Sequence, residues 1–413
     1  MSKDIKIPLD IPDVEILDME MNEAGDYFIT VRSTKNGTNC RECGRPINQF
    51  HGSDDPITLQ HLPILGSEVY IIISPARYKC PYCSNGTTTT QRLPWYKPRS
   101  PYTKAYEEYI LLQLVNSTVK DVSIKEDIGY ESIMGVIKRH IAVKVDWRRF
   151  KTLDILGLDE ISLTKGHKNY VVIATARING KVVLLGVLKN RKKKTVVKFL
   201  KQIPKHLQYT VDSVCCDMYE GYINAVNMVF EMPPKIVIDR FHVVQNYRKG
   251  ADNLRKKEVK RLKKELSEND YKQLKGAMWA FRKDKDKLKQ KEQTVLNLLF
   301  TYSPLLKLAY DFCNELTAIF EKDIPKFQAI REIKNWKKCV KKSELTCFNR
   351  FIGTLDKWMN EITNYFEDRF NSGFVEGLNN KIKVIKRRCY GILNIEHLFQ
   401  RIHLDLDGYS LFT

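Results

Sequence analysis

The sequence predicts an α/β protein in which a mixed-sheet core is interrupted by an all-helical insertion and preceded by two small modules. Three observations carry that expectation. Runs of β-branched and aliphatic residues between 153 and 188 give way to alternating helix and strand patterns up to residue 239. A stretch from about 250 to 345 is rich in Lys, Leu and Glu with helical periodicity. The first hundred residues hold two C-x-x-C pairs, Cys40/Cys43 and Cys80/Cys83.

The chain has 413 residues, room for two to three domains at about 150 residues each. It carries 69 Lys and Arg against 49 Asp and Glu, a formal net charge of +20. With 43% hydrophobic and 29% charged residues and no low-complexity block, a disordered polymer is excluded. A folded chain this basic points to a polyanionic partner, because Lys and Arg release condensed counterions when they neutralise phosphates. No apolar run of about 18 residues, lipidation motif or signal pattern is present, so no membrane partner and a cytoplasmic location are expected. The surplus is local. Residues 151–250 hold 17 basic and 8 acidic side chains and 251–350 hold 25 and 14, whereas 1–100 hold 11 and 12.

In chain order, residues 1–37 are acidic, lack a motif and have no assigned role. Residues 38–95 read as a zinc ribbon. Cys40, Cys43, Cys80 and Cys83 supply four thiolates at tetrahedral zinc spacing, and ITLQHLPILGSEVYIIIS between them alternates as a pair of strands. Disulfides do not suit a chain without an export signal, and a redox pair lacks its context. The zinc is structural. His51 and His61 read as surface histidines, and Cys215, Cys216, Cys313, Cys339, Cys347 and Cys389 as buried small apolar residues.

Residues 100–145 read as a helix-turn-helix. An apolar-periodic helix over 104–116 precedes a short helix capped by Thr118, a turn at Gly129, and a second helix from Glu131 to His140. In that helix Ile133, Val136 and Ile137 face inward, and Lys138 and Arg139 face outward as DNA contacts.

Residues 150–250 form the first part of the core. Three antiparallel strands are separated by the turns KGHKN and INGK, and LDILGLDE is apolar until Asp159 and Glu160. A helix over 195–204, a strand over 210–218 ending on Asp217, a helix over 218–230 and a strand KIVID follow. Three antiparallel strands, then alternating helix and strand with acids at neighbouring strand ends, outline an RNase H-like fold. Carboxylates in buried strands are costly unless they bind something positive. Two-metal-ion phosphodiester cleavage needs such hard oxygen ligands around two Mg2+ or Mn2+ ions. Residues 251–345 form the helical insertion, and 346–413 return to the core. There a helix over about 374–388 places Glu376, Asn379, Asn380 and Lys383 on a polar side, with Val375, Leu378, Ile382 and Ile385 opposite. Lys381, Lys383, Lys386, Arg387 and Arg388 are candidate phosphate contacts. Trp279, Trp336 and Trp358 read as core residues.

LGLDE near 159, VCCDMYEGY near 217, IVIDRFHVVQ at 236–245 and FVEGLNNKIKVIKRRCYG at 374–391 resemble the bacterial insertion-sequence transposases of the ISL3 group. The similarity runs from about residue 38 to about 405. It implies a DDE transposase whose metal-binding triad is Asp159, Asp217 and Glu376, with a helical insertion between the second and third acids. Asp239-Arg240-Phe241-His242 is similar to an acid-x-x-His signature placed before such insertions, which makes Asp239 and His242 supporting residues and not metal ligands. The resemblance further implies binding of double-stranded DNA at terminal inverted repeats and at a target, a homodimer or larger assembly on DNA, and association with the nucleoid. The alternative is a domesticated DNA-binding regulator with a vestigial catalytic fold. The surplus charge predicts that the insertion grips DNA through Lys and Arg within 255–291.

Overall fold

The structure, a computed structural model, describes residues 9–164, 169–369 and 373–412, with side chains undescribed at 368 and 373–376. The turn residues 165–168 lie outside it. The chain forms two compact units, Met1–Ala142 with Gln400–Thr413, and Val143–Phe399.

In the first unit a four-stranded sheet runs in the order Val14–Met21, Tyr27–Ser33, Ser67–Ile73, Ile57–Ile64. The last two are the anticipated hairpin, closed by Leu65 and Gly66 at positive φ as a tight two-residue turn requires. Alternate residues Leu59, Val69, Ile71 and Ile73 are buried with Ile29, Val31 and Trp95. The segment without a motif therefore completes this sheet, with Tyr27–Ser33 parallel to Ser67–Ile73. The cysteine knuckles attach to other sheets, Thr38–Asn39 with Pro46–Ile47, and Gln49–Ser53 with Ala76–Lys79 and Thr88–Thr90. Alternation reports that a strand is half-buried, not which partners it chooses.

His61 corrects one expectation. It is buried, its ring bridging Thr103 Oγ1 at 2.9 Å and the Leu9 carbonyl at 3.2 Å, and burial lowers its pKa. His51 is exposed as anticipated.

Three helices follow, Lys104–Leu114, Val119–Lys125 and Tyr130–His140. Thr103 and Thr118 cap the first two by accepting from the N–H groups of Tyr106 and Asp121. Ile110, Leu111, Leu114, Ile133, Val136 and Ile137 form their core together with Leu404. Residues from Gln400 onward, in the helix Ile395–Phe412, belong here: Arg401 donates to the carbonyls of Leu114 and Ser117, and Asp405 accepts from the Asn116 N–H at 2.9 Å. The sequence pattern had grouped them with the core, because a helix's periodicity does not name the surface it covers.

The second unit is built on a five-stranded mixed sheet, order Lys181–Leu188, Tyr170–Ile178, Asp154–Ser162, Val211–Cys216, Lys235–Ile238. The first three strands are antiparallel and the last two run parallel to Asp154–Ser162. One face packs Leu156, Leu158, Val214 and Cys216 against the helices Lys193–Leu200 and Glu220–Val229. On the other, Ile155, Cys215 and Val237 meet the helical layer.

That layer starts with the 26-residue helix Arg240–Glu265, N-capped by Asp239, so it begins eleven residues before the expected insertion. Its principal partners are Pro304–Glu321, Asn349–Thr363 and the short turn Thr346–Phe348, and Lys326–Lys342 packs in turn on Pro304–Glu321 and Asn349–Thr363. Trp336 is buried there, donating to the Phe312 carbonyl at 2.9 Å, and Trp358 is partly buried. Trp279 is 62% exposed beneath the Arg282 guanidinium, and Cys339 is exposed, both contrary to expectation. Each lies on the solvent side of a helix that meets its neighbours along one stripe only.

Candidate functional site

Strand alternation separates the two acids of LGLDE. Glu160 joins the face of Tyr222, whose hydroxyl donates to it at 3.1 Å, and receives Arg191 at 3.3 Å. Asp159 turns to the opposite face, toward the helical layer. Because Leu158 pairs with Cys216 in the parallel register, Asp217 follows on the neighbouring strand one step beyond, level with Asp159. Each acid is oriented by the next backbone N–H: Asp159 Oδ1 accepts from Glu160 at 2.7 Å and Asp217 Oδ1 from Met218 at 2.6 Å.

The first turn of Arg240–Glu265 adds His242. Its ring lies 3.6 Å from Asp217 Oδ1, 3.9 Å from Asp159 Oδ1 and 3.8 Å from Asp239 Oδ2. Burial pushes the Asp159 pKa up, and the charges of Asp217 and Asp239 add to it, against the Glu160 N–H and His242.

The helix Gly373–Arg388 closes the site from the far end of the chain. Leu378, Ile382 and Ile385 are buried. Asn379 was assigned to the polar side of this helix, yet it is buried and donates from Nδ2 to Asp159 Oδ2. That contact was invisible in the sequence, where Asn379 differed from its neighbour Asn380 only by helical phase. Glu376 is one turn earlier on the same helix, and its side chain lies outside the described residues. Of the basic set, Lys381, Lys383 and Arg387 are exposed, Arg388 is half-buried, and Lys386 donates to the Ser162 carbonyl, with burial lowering its pKa.

In the first unit the Sγ atoms of Cys40, Cys43, Cys80 and Cys83 all lie within 4.8 Å of one another, with Cys40 to Cys83 at 3.8 Å and Cys43 to Cys80 at 3.7 Å. Four sulfurs at ~2.3 Å from a tetrahedral zinc stand about 3.8 Å apart, so the donor set fits that ion. The backbone N–H groups of Cys43 and Glu42 pull the Cys40 thiol down to about 6, whereas burial pushes the Cys83 thiol up. Gly44 and Gly86, both at positive φ, turn the two knuckles.

In the helical trio, Lys138 is exposed, but Arg139 turns back to Glu107, donating from Nε at 2.7 Å. Glu107 is 1% exposed and also accepts from Ser100 at 2.7 Å and pairs with His140 at 2.6 Å. Burial alone would raise its pKa; the hydrogen bonds of His140, Ser100 and Arg139 outweigh burial and hold it at about 2.

Among the described residues, no helix is long and apolar enough to cross a membrane. Residues 91–141 match the helix-turn-helix domain of transposase family ISL3, and residues 156–402, more than half of the chain, match that family's DDE transposase domain. The chain is similar to the transposase for insertion sequence element IS1001 of Bordetella parapertussis, 25% identical over 370 residues covering 89% of each chain. It is also similar to the transposase for insertion sequence element IS1557 of Mycobacterium tuberculosis, 20% identical over 96% of this chain and 93% of the relative. A helix-turn-helix match followed by a transposase-domain match over more than half of the chain places this chain in the ISL3 family of DDE transposases.

Proposed function

We propose that the chain recognises the terminal inverted repeats of its insertion sequence and catalyses DNA strand cleavage and strand transfer at Asp159, Asp217 and Glu376, on an RNase H-like core. The observation that carries this reading is the level placement of Asp159 and Asp217 on adjacent parallel strands, reached by the helix that bears Asn379 and, one turn earlier, Glu376.

The carboxylates are hard oxygen donors suited to Mg2+ or Mn2+. Their fit is supported by Asp159, whose burial beside Asp217 and Asp239 makes ionisation costly until a cation is nearby. Two such ions, when bound, supply activation of the attacking oxygen and neutralisation of the leaving oxygen. The chain's own part is orientation. Asn379 and the Glu160 N–H fix the Asp159 carboxylate from both oxygens, the Met218 N–H fixes Asp217, and Tyr222 with Arg191 keeps Glu160 out of the site. His242 and Asp239 support the acids. Water attacks the phosphorus at the element's end, the 3′-oxygen leaves and takes up a proton, and the freed 3′-hydroxyl attacks a target phosphodiester in the same in-line manner.

In this reading residues 38–95 are a zinc-stabilised ribbon, 100–145 read the repeat with Lys138 near DNA while Arg139 holds Glu107, and Lys381, Lys383, Arg387 and Arg388 lie along phosphates beside the acids while Lys386 holds the Ser162 carbonyl. The helical layer that starts at Arg240 is the insertion between two parts of the core, and the second part ends before Gln400. Bringing two element ends together calls for at least a dimer, and the substrate places the enzyme in the cytoplasm at the nucleoid.

The test is Mg2+-dependent cutting of a duplex that carries the element's ends. Wild type should cut and Asp159→Ala should bind without cutting. Equal, negligible cutting by both, with binding intact, would favour the regulator reading; cutting without regard to end sequence and without joining would indicate a structure-selective nuclease.

A further inference from the structure

A polar cleft of about 310 Å3 opens beside the acids, within the second unit, and reaches from Asp217 and His242 to Asn246, Lys249, Asn253 and Arg350. Resting on the cleavage reading above, we propose that this cleft seats a backbone phosphate of the DNA strand a few nucleotides from the bond being cut, with Lys249 and Arg350 neutralising it.

One wall follows from helical spacing. His242, Asn246, Lys249 and Asn253 recur every three or four residues and form a single stripe along Arg240–Glu265. The other wall is the turn at Cys347 and the first turn of Asn349–Thr363, which carries Arg350. The separation of the walls is set by backbone, not by flexible side chains. At Gly250 a Cβ would stand 2.4 Å from the Cys347 carbonyl oxygen, so only glycine permits the approach that holds Arg350 opposite the stripe.

The charge pattern identifies the occupant. The arginines of the long helix are matched within the protein, Arg248 by Asp284, Arg255 by Asp252 and Arg261 by Glu258, and its unmatched lysines at 257, 260 and 264 lie further along the helix, outside the cleft. Lys249 and Arg350, both exposed, have no carboxylate within ion-pair distance among the described residues. Two uncompensated cations with the carboxamides of Asn246 and Asn253, in a concavity continuous with the acids, suit an anion that offers several acceptor oxygens and also extends to the reacting centre. A phosphodiester strand does both. Lys249 is seven residues past His242, about 10 Å along the helix axis. At ~3.4 Å per nucleotide step this puts the bound phosphate about three nucleotides from the scissile bond.

The experiment uses full-length protein and a duplex carrying the element's end, in which single phosphates of the cut strand are replaced one at a time by uncharged methylphosphonate. Binding is measured in Ca2+ and single-turnover cutting in Mg2+. In wild type, neutralising the phosphate about three nucleotides from the cut should weaken both binding and cutting. In the double variant Lys249→Ala, Arg350→Ala that position should fall silent, the slope of log affinity against log salt should flatten by about 2, and Tm should not move. Lys249→Arg should keep the sensitivity. A sensitive phosphate that persists in the double variant, or none in that region in wild type, overturns the cleft while leaving the cleavage reading intact if wild type still cuts. A silenced phosphate in a protein that never cuts supports the cleft and removes the cleavage reading instead.

Discussion

Asn379 donates a hydrogen bond from Nδ2 to Oδ2 of Asp159 across 220 positions of sequence. The contact locks the helix Gly373–Arg388 to the central strand through a catalytic candidate, and it stabilises the charged form of a carboxyl whose burial disfavours charge. Asn379→Ala should therefore raise the Asp159 pKa further. A hydrogen bond to a charged group is worth about 1.5–3 kcal/mol, so cutting at neutral pH should fall roughly ten- to hundredfold, with the acid limb of the pH–rate profile moved to higher pH. An unshifted limb would show that Asn379 acts only through packing.

The same raised pKa has a consequence for stability. A carboxyl whose folded pKa lies above its unfolded value favours the folded state only while protonated, so its contribution is lost as pH rises through the folded pKa. In metal-free buffer at neutral pH Asp159→Asn should raise Tm, and in Mg2+ it should abolish cutting. A lowered Tm would mean that the carboxylate is already compensated within the protein.

Glu107 works in the opposite sense. Its pKa is held at about 2, below the ordinary 4.5, so it stabilises the first unit fully above about 4.5, and that contribution disappears as pH falls toward 2. Thermal melts across this window should show wild type losing stability while Glu107→Gln, less stable at pH 7, changes little. Parallel curves for the two proteins would exclude the Ser100–Glu107–Arg139–His140 cluster as the acid-sensitive element.

Removing zinc should unfold the ribbon and spare the other unit. One zinc per chain is expected by elemental analysis, lost in Cys80→Ser, with hydrogen exchange rising over residues 38–90 and unchanged over 154–238. Zinc-free protein with full protection at the knuckles would refute a structural metal.

The basic insertion divides into paired and unpaired charge. Arg255, Lys256 and Arg282 all engage Asp252, whereas Lys257, Lys260 and Lys264 follow one exposed stripe with no ion-pair partner among the described residues. Neutralising Lys257, Lys260 and Lys264 together should weaken binding to every duplex and flatten the salt slope by up to about 3. The same substitutions at Lys256 and Arg282 should lower Tm more than they change the slope.

The sequence by itself determined the family, a mixed α/β fold with the helix-turn-helix ahead of the transposase domain, and the spacing of a four-cysteine cluster, and it supplied the acids as candidates. Local rules suffice for these: C-x-x-C spacing makes knuckles, alternation makes half-buried strands, Thr caps start helices, and an acid in an apolar strand marks a site. Only the tertiary structure decided which of these residues meet. It gave the hairpin at 57–73 to a sheet with strands from the unassigned first segment, took residues 400–412 into the helical trio, and buried His61. It also split Asp159 from Glu160, turned Asn379 onto Asp159 and Arg139 onto Glu107, and left Lys249 and Arg350 beside Asp217 without a carboxylate partner among the described residues. Periodicity specifies that a residue faces inward or outward, whereas the partner it faces is set by parallel register and helix packing between segments up to 289 residues apart, which no local pattern encodes.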